Sequence, residues 1–373
     1  MTPGACSGYT AGVTGHPQLA QLFHEFAIPG RYVGAEPWGA GHINDTYRVA
    51  YDHGTGIRHF ILQRVNHHVF REPVKLMDNI RRVTAHLQEK LAGTPDLNRR
   101  VLRLLPTRDG RPFVQDPTGD YWRAYRFIED AQTFQVVESP AQAEAAARAL
   151  GQFQRLLADL PPPRLHDTIP DFHHTPKRYA ALERAIAADT YNRAAGCQRE
   201  IEFARRREPI VGALLELGAP ERVTHNDTKL NNVLFCATTG EALCIVDLDT
   251  VMPGLALYDF GDMVRSTSCR AAEDERDLRK VRVDLEIFAA LARGYVATAG
   301  DSLSPVERQH LAFAGRLITF EIGMRFLTDH LQGDIYFKIH RPNHNLDRCR
   351  AQFALVASME AQEKAMQRVI NQL

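Results

Sequence analysis

Hydrophobic and polar positions alternate along this chain in two different rhythms. Up to about Phe127 the apolar residues come in short β-branched and aromatic runs, YRVAY, RHFILQRV, VLRLLP, PFVQD and YWRAYRFI, separated by Gly, Pro and Asp. That is the pattern of strands and turns. One segment breaks it: PVKLMDNIRRVTAHLQEKL carries apolar residues at Val74, Met77, Ile80, Val83 and Leu87, the three-and-four spacing of a helix face. From Ser139 onward helical spacing dominates. SPAQ at Ser139 and SPVE at Ser304 each supply a capping serine, a proline at the first helical position and Gln or Glu at the third. DLPPP, Asp159 to Pro163, stops the first long helix. The pattern predicts an α+β chain of two lobes, a small strand-rich N-terminal lobe over residues 1–128 and a larger, mainly helical lobe over 129–373.

Within the second lobe, RVTHNDTKLNNVLF packs polar residues between apolar runs. Such clusters are commonly solvated turns, but the spacing here is specific: His225 lies two before Asp227, Lys229 two after it and Asn232 five after it. That is the order of a kinase catalytic loop, in which an aspartate accepts the nucleophile's proton and an asparagine five later holds magnesium. VLF, CATTGEA and LCIVDLD then read as a hairpin about Thr239 and Gly240. Its register sets Asn232 opposite Asp247, so that a carboxamide and a carboxylate can share one hard cation. Asp249 is a second candidate ligand, on the same face as Asp247 if the strand continues. Asp259-Phe260-Gly261 has the letters of the protein-kinase magnesium motif, yet it lies beyond the MPG break. The expected role of Asp259 is a buried or capping carboxylate that supports the loop or starts a helix.

Composition bounds the classes. With 373 residues, 44% hydrophobic and 24% charged, the chain can bury a sizeable core. Forty-five Lys and Arg balance forty-five Asp and Glu, so no global basic field is present for nucleic acid or an acidic membrane, and a cofactor phosphate must be met locally. The six cysteines form no CxxC pair, and MTPGACSGYT lacks a basic start and an apolar core; the expected compartment is a reducing cytoplasm. No apolar run approaches the roughly 18 residues of a membrane span.

The first lobe should cradle phosphates. WGAGHINDTYRV holds Gly39 and Gly41 in a turn between strands, followed by His42 and by Asn44 where a third glycine would stand. A lysine is expected on a following strand to pair the phosphates. FILQRVN offers Gln63 and Arg64 instead. These alternate faces, so at most one meets the nucleotide, and Asp78 on the next helix is a possible acidic partner. YRFIEDAQTF, with Phe127 and Glu129, is the expected hinge strand, where backbone groups can read an adenine edge.

In these residues the chain resembles the aminoglycoside phosphotransferase and choline kinase superfamily of small-molecule kinases, through THNDTKLNN, IVDLDTVMPG and YDFGD in that order. Within it, GHINDTY, FILQRVN, LMDNI, WRAYRFIED, MRFLTDHLQGDIYFK and NLDRCRAQ are similar to the N-acetylhexosamine 1-kinases. The resemblance implies a two-lobed protein-kinase-like fold and transfer of the ATP γ-phosphate to a small acceptor. It makes Asp227 the base and Asn232 and Asp247 the Mg2+ ligands, with the acceptor on the late helices. Lys229 would stabilise the transferring phosphate. The chain departs from the family at Asn226, where glycine is frequent and backbone freedom is needed.

From Arg316 to Arg350 there are six Lys and Arg against four acids. A pocket built there suits a neutral polyhydroxyl acceptor better than a polycationic aminoglycoside or a choline head. Glu321, Arg325 and Asp329 recur at four-residue spacing. They form either a solvent-facing salt-bridge ladder or, as the resemblance implies, part of a sugar site with Arg325 and Tyr336 as contacts and Asp329 orienting Arg325. The expected reaction is phosphorylation of a sugar, most closely an N-acetylhexosamine at its anomeric hydroxyl.

Overall fold

A computed structural model describes residues 17–39 and 43–373. The chain divides into two compact units, residues 1–73 with 103–127 and residues 74–102 with 128–373. The division differs from a single boundary at 128 because the helix Pro73–Lys90 belongs, from Val74 on, to the second unit. One physical reason is Asn79 in the LMDNI segment. It is fully buried and donates to the carbonyls of His166 (2.8 Å) and Val251 (3.1 Å), while accepting from the His166 amide. A buried carboxamide with every group paired fixes a helix far better than its apolar face alone.

The first unit is a twisted antiparallel sheet of β1 (Arg31–Pro37), β2 (Asp45–Asp52), β3 (Ile57–Val65), β4 (Leu104–Leu105), β5 (Val114–Gln115) and β6 (Tyr121–Arg126). The strands run in the order β1-β2-β3-β6-β4, with β5 also on β6. One face packs a core of Phe23, Phe26, Val49, Tyr51, Phe60, Leu62, Trp122 and Ala124. Strand alternation puts Thr46, Gln63 and Arg123 on the other face. The helix Pro17–His24 is absent from the sequence reading, which expected a strand before the glycine turn without giving its residues; that strand is β1.

The second unit is mainly helical. Ser139 caps the helix Pro140–Leu156 by accepting from the Gln142 amide, and Ser304 forms a full capping box with Glu307, as the two motifs predict. Three short strand pairs interrupt the helices: β7 (Ala131–Gln132) with β9 (Val233–Cys236), β9 with β10 (Ala242–Ile245), and β8 (Arg222–Thr224) with β11 (Met252–Gly254). The β8–β11 pair and the β9–β10 hairpin bracket the segment 225–232 and hold both its ends. Among the described residues no helix is long and apolar enough to cross a membrane.

Candidate active site

The segment after β8 is pinned from below by a single carboxylate. Asp259 lies in the helix Ala256–Thr267 and is buried. Its Oδ2 accepts from the His225 amide (3.0 Å) and from the side chain of Gln154 (3.0 Å), and its Oδ1 from the Asn226 amide (2.7 Å). Burial pushes the Asp259 carboxyl upward against the pull of His225 and these donors. Asp259 is therefore the supporting residue that its distance from Asn232 suggests. Gly261 of the same motif lies where this helix crosses Leu311–Leu331: a Cβ there would stand 2.6 Å from Ile318 Cγ1 and 2.7 Å from the Ala314 carbonyl oxygen.

Asn226 takes φ 65°, the left-handed conformation that glycine adopts freely and asparagine tolerates best among the other residues. Its side chain fixes that choice by donating to the Thr250 carbonyl (2.9 Å) and accepting from the Thr224 hydroxyl (3.1 Å). His225 anchors rather than reacts: Nε2 donates to the Val246 carbonyl (2.9 Å), and Nδ1 accepts from the Asp227 amide (3.3 Å).

The consequence is a part-exposed Asp227 with Lys229 Nζ 3.1 Å from its Oδ2. Burial pushes the Asp227 carboxyl up, but Lys229, His225 and Arg265 outweigh it and hold it below the usual carboxylate range. Burial pulls the Lys229 ammonium down, and Asp227 and Asp247 raise it well above an ordinary lysine. The pair is charged at neutral pH. Asn232 donates its amide to the Asp227 carbonyl (2.7 Å) and carboxylate (3.2 Å), so Oδ1 is the atom of this side chain that could face a cation.

The hairpin forms one residue out of the expected register. Ile245 opposes Val233, and the Val246 amide donates to the Asn232 carbonyl. Asp247 thus follows the strand rather than facing Asn232 across it, at φ 59°, and starts the turn Leu248–Thr250. Because that turn breaks the strand's alternation, Asp249 does not share a strand face with Asp247; it is buried, and its carbonyl accepts from Thr168. Oxygen atoms of Asn232 and Asp247 are the donor set a magnesium ion prefers.

The helix Leu311–Leu331 carries the stripe Glu321, Arg325 and Asp329, which faces inward instead of forming a ladder in solvent: Glu321 is 0% and Asp329 3% exposed. Glu321 accepts from His173 Nδ1 (2.8 Å) and the Thr175 hydroxyl (2.6 Å), and His173 Nε2 reaches the Asn226 carbonyl oxygen (2.9 Å). Burial pushes Glu321 up, while His173 and Arg325 hold it below its usual range. Asp329 does not orient Arg325. It gathers the amides of Ile335, Tyr336 and Phe337 at 2.8–2.9 Å and accepts from Asn345. Arg325 lies over the rings of Phe172 (4.9 Å), Phe337 (5.7 Å) and Tyr336 (5.9 Å). Arg178 donates to the Phe172 carbonyl, and burial together with Arg325 lowers its pKa. His173, Arg178 and the buried Arg265 are missed by sequence reasoning, because each sits in an unremarkable segment and gains its place only through long-range packing.

Beside the loop a cleft of about 290 Å³ is lined by Phe172, His173, Asn226, Gly254 and Tyr258. Three carboxylates also line it, and each is already paired: Asp167 and Glu221 with Arg164, Asp171 with Lys177.

In the first unit, Gly39 has φ 78° and open space around it, while Gly41 and His42 lie outside the described residues. Asn44 accepts from the amide of Asn66 (2.9 Å), the residue that follows β3. Arg64 is committed to Asp45 (2.9 Å) and Asp120 (3.0 Å). Gln63 faces the opposite way, and Arg123 donates to its Oε1. Phe127 packs edge-on against Trp38 at 5.4 Å. Glu129, in the second unit, is exposed. Asp78 pairs with Arg81.

A model described as the phosphotransferase enzyme family matches residues 34–296. Among solved structures, the chain is similar to an aminoglycoside phosphotransferase from Alicyclobacillus acidocaldarius subsp. acidocaldarius DSM 446, with TM-score 0.60, 14% identity, and 98% of this chain and 99% of that one covered. It is similar to a spectinomycin phosphotransferase solved with ADP and spectinomycin, with TM-score 0.56, 15% identity and coverage of 96% and 98%. A microcompartment-associated aminopropanol kinase gives TM-score 0.55, 16% identity and coverage of 94% and 98%. At these identities the likeness is one of fold.

Proposed function

The chain belongs to the phosphotransferase enzyme family, and from that premise we propose that its acceptor is a neutral sugar, an N-acetylhexosamine phosphorylated at its anomeric hydroxyl to give the sugar 1-phosphate. The coarser activity follows from the family: an ATP-dependent phosphotransferase that acts on an alcohol, with Mg2+ as cofactor.

One observation carries the acceptor reading. The aromatic cluster of Phe172, Tyr336 and Phe337 already holds a cation, the Arg325 guanidinium. A quaternary ammonium or a protonated aminoglycoside would meet that charge and be repelled, whereas a sugar stacks on rings and accepts hydrogen bonds from a guanidinium. The paired state of Asp167, Asp171 and Glu221 points the same way, since a polycation needs free carboxylates.

The chemistry assigned to the chain's own groups is positional. Asp227 accepts a hydrogen bond from the acceptor hydroxyl and takes its proton as the new O–P bond forms and the bond between the γ-phosphorus and the β,γ-bridging oxygen breaks, with ADP as leaving group. Lys229 sets its charge against the transferring phosphoryl oxygens. Asn232 and Asp247 would hold magnesium, which when bound neutralises phosphate charge. The test is product analysis after incubation with ATP, magnesium and a panel of sugars, amino alcohols and aminoglycosides. N-acetylhexosamine 1-phosphate is expected; turnover of choline or an aminoglycoside without it would overturn the acceptor reading and leave the kinase assignment in place.

A further inference from the structure

The first sheet lacks a lysine on β3, and its electrostatic replacement is visible on the sheet itself. Thr46, Gln63 and Arg123 are register partners across β2, β3 and β6, one residue from each of three adjacent strands on the face away from the Phe60–Trp122 core. Arg123 donates from Nε (2.9 Å) and Nη2 (2.6 Å) to the single oxygen Gln63 Oε1. That forked grip fixes which end of the carboxamide is the oxygen. The amide end then donates to Thr46 Oγ1 (2.9 Å).

All three links run in one direction. The guanidinium polarises the carboxamide, and the carboxamide polarises the hydroxyl, with each bond in the row strengthening the next. Because Thr46 Oγ1 accepts from Gln63, its own proton is free to point elsewhere. Thr46 is the second residue of β2. The other guanidiniums nearby are occupied: Arg64 lies on the opposite face with Asp45 and Asp120, and Arg48 pairs with Glu36 and lies over Trp38.

We propose that the row Arg123–Gln63–Thr46 is the phosphate-recognition device of this kinase, in which a buried cation one strand removed works through a carboxamide to present a hydroxyl donor to the nucleotide phosphates. The proposal rests on the reading that this sheet face receives the nucleotide. Arg123, 1% exposed, is a positioning residue that acts through Gln63. Thr46 is the group that meets the phosphate.

The decisive measurement is calorimetric binding of MgATP and of adenosine to wild type, Thr46→Val, Arg123→Lys, Arg123→Gln and the transposed double variant Gln63→Lys/Arg123→Gln. Thr46→Val keeps shape and deletes the donor. It should weaken MgATP by about ten-fold or more while leaving adenosine within about two-fold, as expected for loss of a hydrogen bond to a charged group. Arg123→Gln should show the same split, Arg123→Lys should retain most of the affinity, and the transposed variant should recover part of it by returning a cation to β3. A merely structural role for Arg123 would weaken both ligands together. Thr46→Val with a wild-type melting temperature and unchanged MgATP affinity overturns the proposal, whether or not Arg123→Gln folds. Amide hydrogen exchange with and without MgATP separates the two readings. Protection over residues 43–46 and 59–65 with unaltered affinity in Thr46→Val sinks the row alone; absence of protection there sinks the nucleotide site and the row with it.

Discussion

Asp259 holds the amide of Asn226 at 2.7 Å while Asn226 sits at φ 65°, so the residue before the proposed base is kept in a left-handed turn by a carboxylate one helix away. Asp259→Asn keeps the shape and turns one acceptor into a donor that faces an N–H. One buried amide is left unpaired, at a cost of about 1–3 kcal/mol. The variant should melt lower than wild type and lose kcat with little change in the affinity for ATP. An unchanged kcat would remove Asp259 from the loop's support.

Asp227→Asn tests the base directly. The substitution removes basicity and keeps volume, so phosphoryl transfer should fall by a factor of order 10²–10⁴, with MgATP binding within about two-fold of wild type. Near-normal turnover in this variant would eliminate Asp227 as the proton acceptor.

The line from Glu321 through His173 to the Asn226 carbonyl joins the helix that bears Arg325 to the loop that bears Asp227. Glu321→Gln should therefore change acceptor KM and kcat together, where loss of Arg325 alone raises acceptor KM. The acid side gives a second reading. Glu321 is held below its usual value of 4.5 in the folded protein, so the stability it contributes is present in full above about that pH and is lost as pH falls through the lower folded value. Melting temperatures of wild type and Glu321→Gln should converge as pH drops below 4.5 and separate above it. Parallel curves would show that the Glu321 charge is not linked to folding.

Gly261→Ala places a methyl 2.7 Å from the backbone oxygen of Ala314, which cannot rotate away. The two helices must part, at a cost of about 1–3 kcal/mol for an overpacked contact. A melting temperature equal to wild type would mean that the crossing can relax. If Gly261 served a metal loop instead, the loss would appear in Mg2+ dependence with stability unchanged.

The strands, the long helices and the serine caps were readable because each depends on residues within a few positions of one another. So was the order His225, Asp227, Lys229, Asn232. The hairpin register failed because the turn is centred earlier than Thr239–Gly240, which pairs Ala242 with Phe235, two residues off; a bulge between Ala242 and Cys244 then brings the pairing back to one residue off, and a bulge has no signature in a run of apolar residues. The role given to Asp329 failed for a different reason. Four-residue spacing puts Asp329 beside Arg325 on the helix, but three unpaired amides of the following loop compete for the carboxylate, and backbone donors without another partner win that competition. His173 and Arg123 were invisible because their partners are far away along the chain.

Asp329 grips the segment 335–337 only by its main chain, and leaves Ile335 74% exposed and Tyr336 48% exposed. The path of that loop is thus independent of which side chains it displays. Exchange of Ile335 or Tyr336 would redraw the rim around Arg325 without disturbing the backbone beneath it, so this loop is where a new acceptor preference could arise by drift through single substitutions while the phosphate-transferring apparatus stays as it is.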